Sequence, residues 1–238
     1  MITLKTIGNF NKAVAWAEAA EKQLPFSISQ GLNTTAFDVR TGLNKGTISA
    51  FNKPVSFTQK AFLVKKSSKR DLKAFIFAID KKGKDRARYL RFGIKGGARP
   101  QKGFERYFQG VANDGTIKPG SYFIPTSFVK VNASGNVTLS TLKTISKGLK
   151  EKSYKPKGKK GTRGGFFIGT PRNNNLPPGI YRRNHEELHP YFIATTNKPD
   201  YTPRFNIVKI GDKIVDRRFI KYTQTALDKN IRAQLAGK

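Results

Sequence analysis

The sequence predicts an α+β fold, and three observations predict it. Apolar residues recur at three- and four-residue steps near the N-terminus and again toward the C-terminus. Between these ends lie short apolar runs of strand length, parted by Gly-, Pro- and Asn-rich turns. The order is helices, strands, a short helix, more strands and a long helix. It fits one domain over residues 1–238: an N-terminal helix pair packed on a mostly antiparallel sheet, a long basic loop and a C-terminal helix.

Residues 1–46 hold the helix pair. In residues 9–24, Asn9 or Asn11 can cap the helix, and Ala13, Val14, Ala17, Ala20 and Leu24 share one side. Pro25 stops that helix and starts a second, in which Ile28, Leu32, Ala36, Val39 and Leu43 repeat and Gly46 lies just past the end. Two amphipathic helices joined by a tight corner need a partner surface. The apolar run Leu72-Lys73-Ala74-Phe75-Ile76-Phe77-Ala78-Ile79, expected as a buried strand, is the natural one.

Residues 52–137 hold strands and basic loops. The segment Phe51-Asn52-Lys53-Pro54 is irregular, Ala61-Phe62-Leu63-Val64 is a short strand, and Lys81-Lys82-Gly83-Lys84 ends the Leu72 run as a turn would. Residues 110–120 are turn-rich, then Tyr122-Phe123-Ile124 and Phe128-Val129-Lys130-Val131 are short strands before a turn at Asn132-Ala133-Ser134-Gly135-Asn136. Residues 138–165 hold a short helix marked by Leu139, Leu142, Ile145 and Leu149, and then a Lys/Gly arm. Strands return in residues 166–206, at Phe166-Phe167-Ile168-Gly169, Gly179-Ile180-Tyr181-Arg182 and Tyr191-Phe192-Ile193-Ala194. Residues 207–238 close the chain as a helix from Asp212 to Leu235. Val215, Phe219, Tyr222 and Ala226 fall on one line, with Ile220, Leu227 and Ile231 beside it. Asp212 and Asp216 near its start, with Lys229 and Arg232 near its end, suit the helix dipole.

The charge is far from balanced: 46 Lys and Arg against 15 Asp and Glu leave a net +31. Such an excess repels itself in a compact chain and seeks polyanions or acidic protein surfaces. One cationic cluster follows the Leu72 run: Arg86, Arg88, Arg91, Lys95, Arg99, Lys102 and Arg106. The aromatics among them, Tyr89, Phe92, Phe104, Tyr107 and Phe108, are expected in the core with Arg and Lys stems around their edges. The alternative is stacking on unpaired bases. Either way the cations would grip backbone phosphate or an acidic protein without reading sequence. A second cluster occupies residues 146–165, with Lys147, Lys150, Lys152, Lys155, Lys157, Lys159, Lys160 and Arg163 opposed only by Glu151. That arm cannot bury apolar area, so it is expected to be mobile alone and to order against a neighbour.

The absence of cysteine excludes disulfides, thiolate metal sites and cysteine nucleophiles. No signal-like or spanning segment stands out, which places the expected site of action in a cell or in a particle assembled there. His185-Glu186-Glu187-Leu188-His189 matches the H-E-x-x-H pattern of zinc proteases, but that chemistry needs a helix. Arg182-Arg183-Asn184 precedes the motif, Pro190 follows it, and the surrounding residues lack a helical apolar face. No P-loop pattern occurs: Gly158-Lys159-Lys160-Gly161 lacks the strand and helix that a phosphate-cradling loop joins. Asp80 with Asp85, Glu105 with Asp114, and Glu186 with Glu187 sit beside bases, as ion pairs or turn residues would. No enzyme, cofactor or resident metal is therefore expected.

Several pieces recur in a familiar order. They begin with Pro54, Phe57-Thr58, Ala61-Phe62, Lys69 and Leu72-Lys73-Ala74. Tyr89-Leu90, Gly96-Gly97-Ala98-Arg99-Pro100-Gln101-Lys102 and Phe104-Glu105 follow, then Gly120, Pro125 and Gly135-Asn136-Val137. Phe166-Phe167-Ile168-Gly169, Pro178-Gly179-Ile180-Tyr181-Arg182, Pro190-Tyr191-Phe192, Tyr201, Arg204-Phe205 and a C-terminal helix complete the series. From about Asn52 onward the chain resembles tailed-bacteriophage virion proteins of the minor tail, tail-completion and head-to-tail neck group. Its two N-terminal helices are similar to the start of minor tail protein Z of lambda-type phages. The resemblance implies a small α+β subunit that forms a homo-oligomeric ring between portal and tail in the virion, without catalysis. On that reading the basic face meets acidic portal, adaptor or tail partners, or the genomic DNA in the channel. The alternative expectation is a nucleic-acid-binding protein without sequence preference.

Overall fold

The computed structural model describes residues 10–80, 86–112, 115–150, 164–171, 175–184 and 187–236. Its elements in chain order are α1 (Phe10–Ala50), α2 (Ser56–Gln59), β1 (Phe62–Lys65), β2 (Phe75–Ala78), α3 (Arg86–Lys95), β3 (Gly97–Ala98), α4 (Gly103–Val111), β4 (Tyr122–Pro125), α5 (Leu139–Lys150), β5 (Gly164–Gly169), β6 (Gly179–Asn184), β7 (Glu187–Thr195), β8 (Asp200–Tyr201) and α6 (Ile207–Ala236). The class is α+β with antiparallel sheets, as the sequence predicts. Where one domain is expected, contacts gather into two compact units: Met1–Ile94 with Pro203–Lys238, and Lys95–Thr202 inserted between them in sequence.

In the first unit α1 and α6 lie along each other, and the predicted corner at Pro25 does not form. α1 runs through Pro25, although the ring removes one backbone donor and crowds the preceding turn. Packing and hydrogen bonds on both sides of the proline hold the helix. Ala19 and Ser27 are buried, Gln23 donates to Gln234 Oε1 at 2.9 Å, and Asn230 donates to Ser27 Oγ and Gln30 Oε1, each at 3.0 Å. Gly46, expected beyond the helix end, is inside it. The partner of the N-terminal helix is thus mainly α6 rather than the Leu72 strand.

Close approach of the two helices depends on small residues. A Cβ at Gly31 would lie 2.2 Å from Thr223 Oγ1 and 3.0 Å from the Thr223 backbone. On α6 Ile207, Ile210 and Ile214 pack in this core and the expected Ile231 is buried, with Phe219, Tyr222, Ala226 and Leu227 half-buried, whereas the expected Val215 and Ile220 are 42% and 63% exposed. These isoleucines join Val39, Leu43, Ala61, Phe62, Leu90 and Phe205 in the unit's core. β1 and β2 form a two-stranded antiparallel ribbon, Phe62 opposite Ala78 and Lys65 opposite Phe75. The buried strand expected at residues 72–79 is therefore only half covered. Ile76 and Ala78 face the core, and Phe75 and Phe77 are 48% and 47% exposed. A two-stranded ribbon has one packed face, and alternate side chains must point away from it.

In the second unit four antiparallel strands stand in the order β4-β7-β6-β5. α4 and α5 contribute Phe108, Ile145 and Leu149 to a core completed by Phe123, Phe166, Ile180 and Phe192. Phe108 is 1% exposed, and its ring lies 5.6 Å from that of Phe123 and 5.7 Å from that of Phe192. Such tilted and edge-on pairs suit the ring quadrupoles. The strand expected at residues 128–131 is replaced by a loop. Val129 turns inward, and Val131 makes a single bridge to Val137 across the Asn132–Asn136 turn. That turn is as expected, with Asn132 Oδ1 accepting the amides of Ser134 and Asn136 and Gly135 at φ 73°. The short helix begins where Thr138 Oγ1 accepts the Thr141 amide at 3.2 Å.

Candidate functional site

The cationic run beginning at Arg86 falls into two groups. Arg86, Arg88 and Arg91 belong to the first unit; Lys95, Arg99, Lys102 and Arg106 belong to the second. Arg86 turns inward, donating to the Lys60 carbonyl and lying 4.6 Å from the Phe57 ring centroid. Arg88 and Arg91 project from α3 on exposed positions, while Leu90 between them is fully buried. Lys95 and Arg106 are exposed as well.

Arg99 is a structural member of the second unit. Its two terminal nitrogens grip Glu105 Oε2 at 2.8 Å and Oε1 at 2.7 Å, a bidentate pair. Among the described residues Glu105 is the only buried charged side chain, at 0% exposure. It is the third residue of α4 and reaches back to accept the Lys102 amide at 2.5 Å, as in the reciprocal half of a capping box. Burial alone would push the Glu105 carboxyl up. The Arg99 hydrogen bond, the Lys102 and Phe123 amides and the Arg99 charge outweigh that push and hold it below the usual carboxylate range. The same carboxylate raises Arg99. Lys102 is an exposed residue overall, yet its ammonium is lowered by lost water and then by the Arg99 charge.

The aromatics divide as their positions on α3 and α4 require. Phe108 is core, Phe104 and Tyr107 pack against it, and Tyr89 is 64% exposed with an edge-on contact to Phe57. Phe104 and Tyr107 also floor a groove of about 640 Å³ between α4 and α5, with Leu139 and Leu142 on the other side. Lys143, Lys147 and Lys150 stand along α5 at its rim, and among the described residues no acidic one lines it. Their i, i+4, i+7 spacing puts the three on one stripe. Lys150 lies 5.9 Å from the Tyr107 ring centroid, and the buried Tyr107 hydroxyl has no hydrogen-bond partner among the described residues. Lys147 and Lys150 are expected site residues; Lys143 and the apolar floor are not, though the i, i+3, i+4 spacing of Phe104, Tyr107 and Phe108 signals a helix face. Lys152, Lys155, Lys157, Lys159, Lys160 and Arg163 lie outside the described residues.

The H-E-x-x-H stretch is not a helix where it is described. Glu187, Leu188 and His189 belong to β7, paired with Asn184, Arg183 and Arg182 of β6; His185 and Glu186 lie outside the described residues. His189 Nε2 is 3.1 Å from Glu187 Oε2, and its ring lies 4.7 Å from that of Phe128. Among the described residues no group of three or more His, Cys, Asp or Glu is placed to hold a metal ion. Also among them, no helix is long and apolar enough to cross a membrane.

Compared with protein-family models, curated proteins and solved structures, the chain has no match.

Proposed function

We propose that this chain is a structural subunit of a tailed-phage particle, a head-to-tail joining or tail-completion protein that assembles as a ring at the portal–tail junction. One observation carries the proposal: both units present large apolar side chains among exposed cations. Phe75, Phe77 and Tyr89 do so in the first unit, and Ile124, Phe128 and Leu139 in the second. Exposed apolar side chains of this size supply the area that a contact with another protein buries. The surrounding charge selects acidic partners and speeds their encounter more than it tightens the final complex. The resemblance of its residue order to the tail-completion group gives the proposal its particular form. Portal, adaptor and tail proteins are then the partners, with genomic DNA passing beside the basic face.

Coat-like binding of nucleic acid is the second reading, favoured by the lysine row on α5. Co-sedimentation of the full chain with portal rings, with duplex DNA as competitor, separates the two. A neck subunit pellets with the portal rings, and excess DNA does not remove it. A DNA-coating protein leaves the rings for DNA and loses DNA affinity by orders of magnitude as salt rises.

A further inference from the structure

The first turns of α1 form a surface of a different character from the rest of the chain. Residues 13–21, AVAWAEAAE, carry Glu18 and Glu21 and no base, between the exposed Lys12 and Lys22, in a chain of net charge +31. Between Ala13 and Leu24 only Ala19 is buried. Val14, Ala17, Glu18, Glu21 and Leu24 fall on one helical face, and all five are exposed. Val14 and Leu24 are 40% and 44% exposed, and among the described residues the side-chain bonds from α1 to α6 begin at Gln23. This is an amphipathic helix face with apolar ends and an acidic middle, and among the described residues nothing in its own unit covers it.

The groove between α4 and α5 has the complementary character. Its floor is Phe104, Tyr107, Leu139 and Leu142, and its rim is the lysine row. Leu139 is 67% exposed. Lengths agree as well: Val14 to Leu24 spans about 15 Å of helix, and Leu139 to Lys150 about 16 Å. A chain this basic repels its own copies, so a second copy approaches most readily where its surface is not positive. The exposed face of α1, where Glu18 and Glu21 offset the flanking Lys12 and Lys22, is such a place, and the lysine-rimmed groove is its electrostatic complement.

We propose that the exposed α1 face of one copy docks in the α4–α5 groove of a second copy. Glu18 and Glu21 meet the lysine row, and Val14 and Leu24 meet the apolar floor. The contact joins two different surfaces, so it repeats head to tail and closes into a ring where the rotation allows. It rests on the assembly reading given under Proposed function and supplies the surfaces for it.

Sedimentation velocity of the full chain reads the contact. The unaltered chain self-associates, and Lys143→Glu with Lys147→Glu weakens this by about tenfold or more. Glu18→Lys with Glu21→Lys does the same, and mixing the two reversed chains restores association, because each then offers the surface the other needs. Leu139→Ser, at an exposed position, also weakens it. Full-strength association of either reversed chain alone, or a monomeric unaltered chain at every concentration, overturns the proposal. So does a groove variant that loses only duplex DNA binding, which would assign the lysines to a polyanion. Assembly on portal rings that survives both reversals ends this docking mode and leaves the functional reading standing. Self-association that obeys the charge swap in a chain indifferent to portal and tail does the opposite.

Discussion

The two compact units are held together by different physics. In the first, two long helices meet through glycines and small polar residues, and the bonds across them are neutral or exposed. Asn230 reaches Ser27, Gln23 reaches Gln234, and Asp38 accepts from Tyr222 at 2.7 Å and from Arg218 at 3.2 Å. In the second, an aromatic cluster lies under two short helices, and one buried carboxylate ties a helix start to Arg99. The contrast shows where a chain with so few acids uses them. Glu105 is sequestered to organise a fold, whereas Glu18 and Glu21 stay on the surface. Cations are plentiful enough that losing Arg99 and Arg86 to the interior leaves the surface strongly positive.

The largest expected effect is at the buried pair. Glu105→Ala strands the Arg99 guanidinium, which is 15% exposed, and frees the Lys102 amide. Chemical unfolding should register a loss of about 3–5 kcal/mol. Phe108→Ala probes the other half of the same unit. Removing a ring that is 1% exposed leaves a cavity and should cost about 3–5 kcal/mol, with faster amide exchange in α4 and β4.

The first unit should answer to volume instead of charge. Gly31→Val forces a branched side chain against Thr223 Oγ1 and the Thr223 backbone, for a loss of about 1–3 kcal/mol. Thr223→Ala in the same chain should recover part of it, because the nearest clashing atom is gone.

Acid should separate the units too. The folded Glu105 carboxyl lies below its unfolded value of about 4.3, so its contribution is complete above that value and fades as pH falls through the lower folded one. Glu105→Gln should flatten that acid limb of a stability–pH profile. The smallest effect belongs to Arg218→Ala, which removes a solvent-exposed partner of Asp38 and Tyr222 and should leave the unfolding midpoint close to unchanged.

Elements with a strong internal period were legible in the sequence. Leu139, Leu142, Ile145 and Leu149 mark α5, and the strands at Tyr122, Phe166, Gly179 and Tyr191 fall where apolar runs stand between turns. Pro25 was misleading because its local cost is overridden by packing on either side, which no local pattern reports. The Leu72 run promised a buried strand since its composition cannot say how many partners it has; with one partner, half its side chains face outward. In α6, Val215 keeps helical spacing as well as Ile210 and Ile214 do, but the close approach at Gly42 and Gly46 of α1 is filled by Ile210 and Ile214. Among the cations, Arg99 looked like its neighbours. The distinguishing signal was Glu105 three residues after Lys102, a helix-start spacing with an arginine just upstream.

The central proposal is that this protein acts as one copy of a multi-copy collar. Native mass spectrometry of the full chain with portal rings present tests it most directly. The account predicts one closed species of fixed copy number bound to the portal. A chain that stays a single copy beside intact portal rings would contradict it.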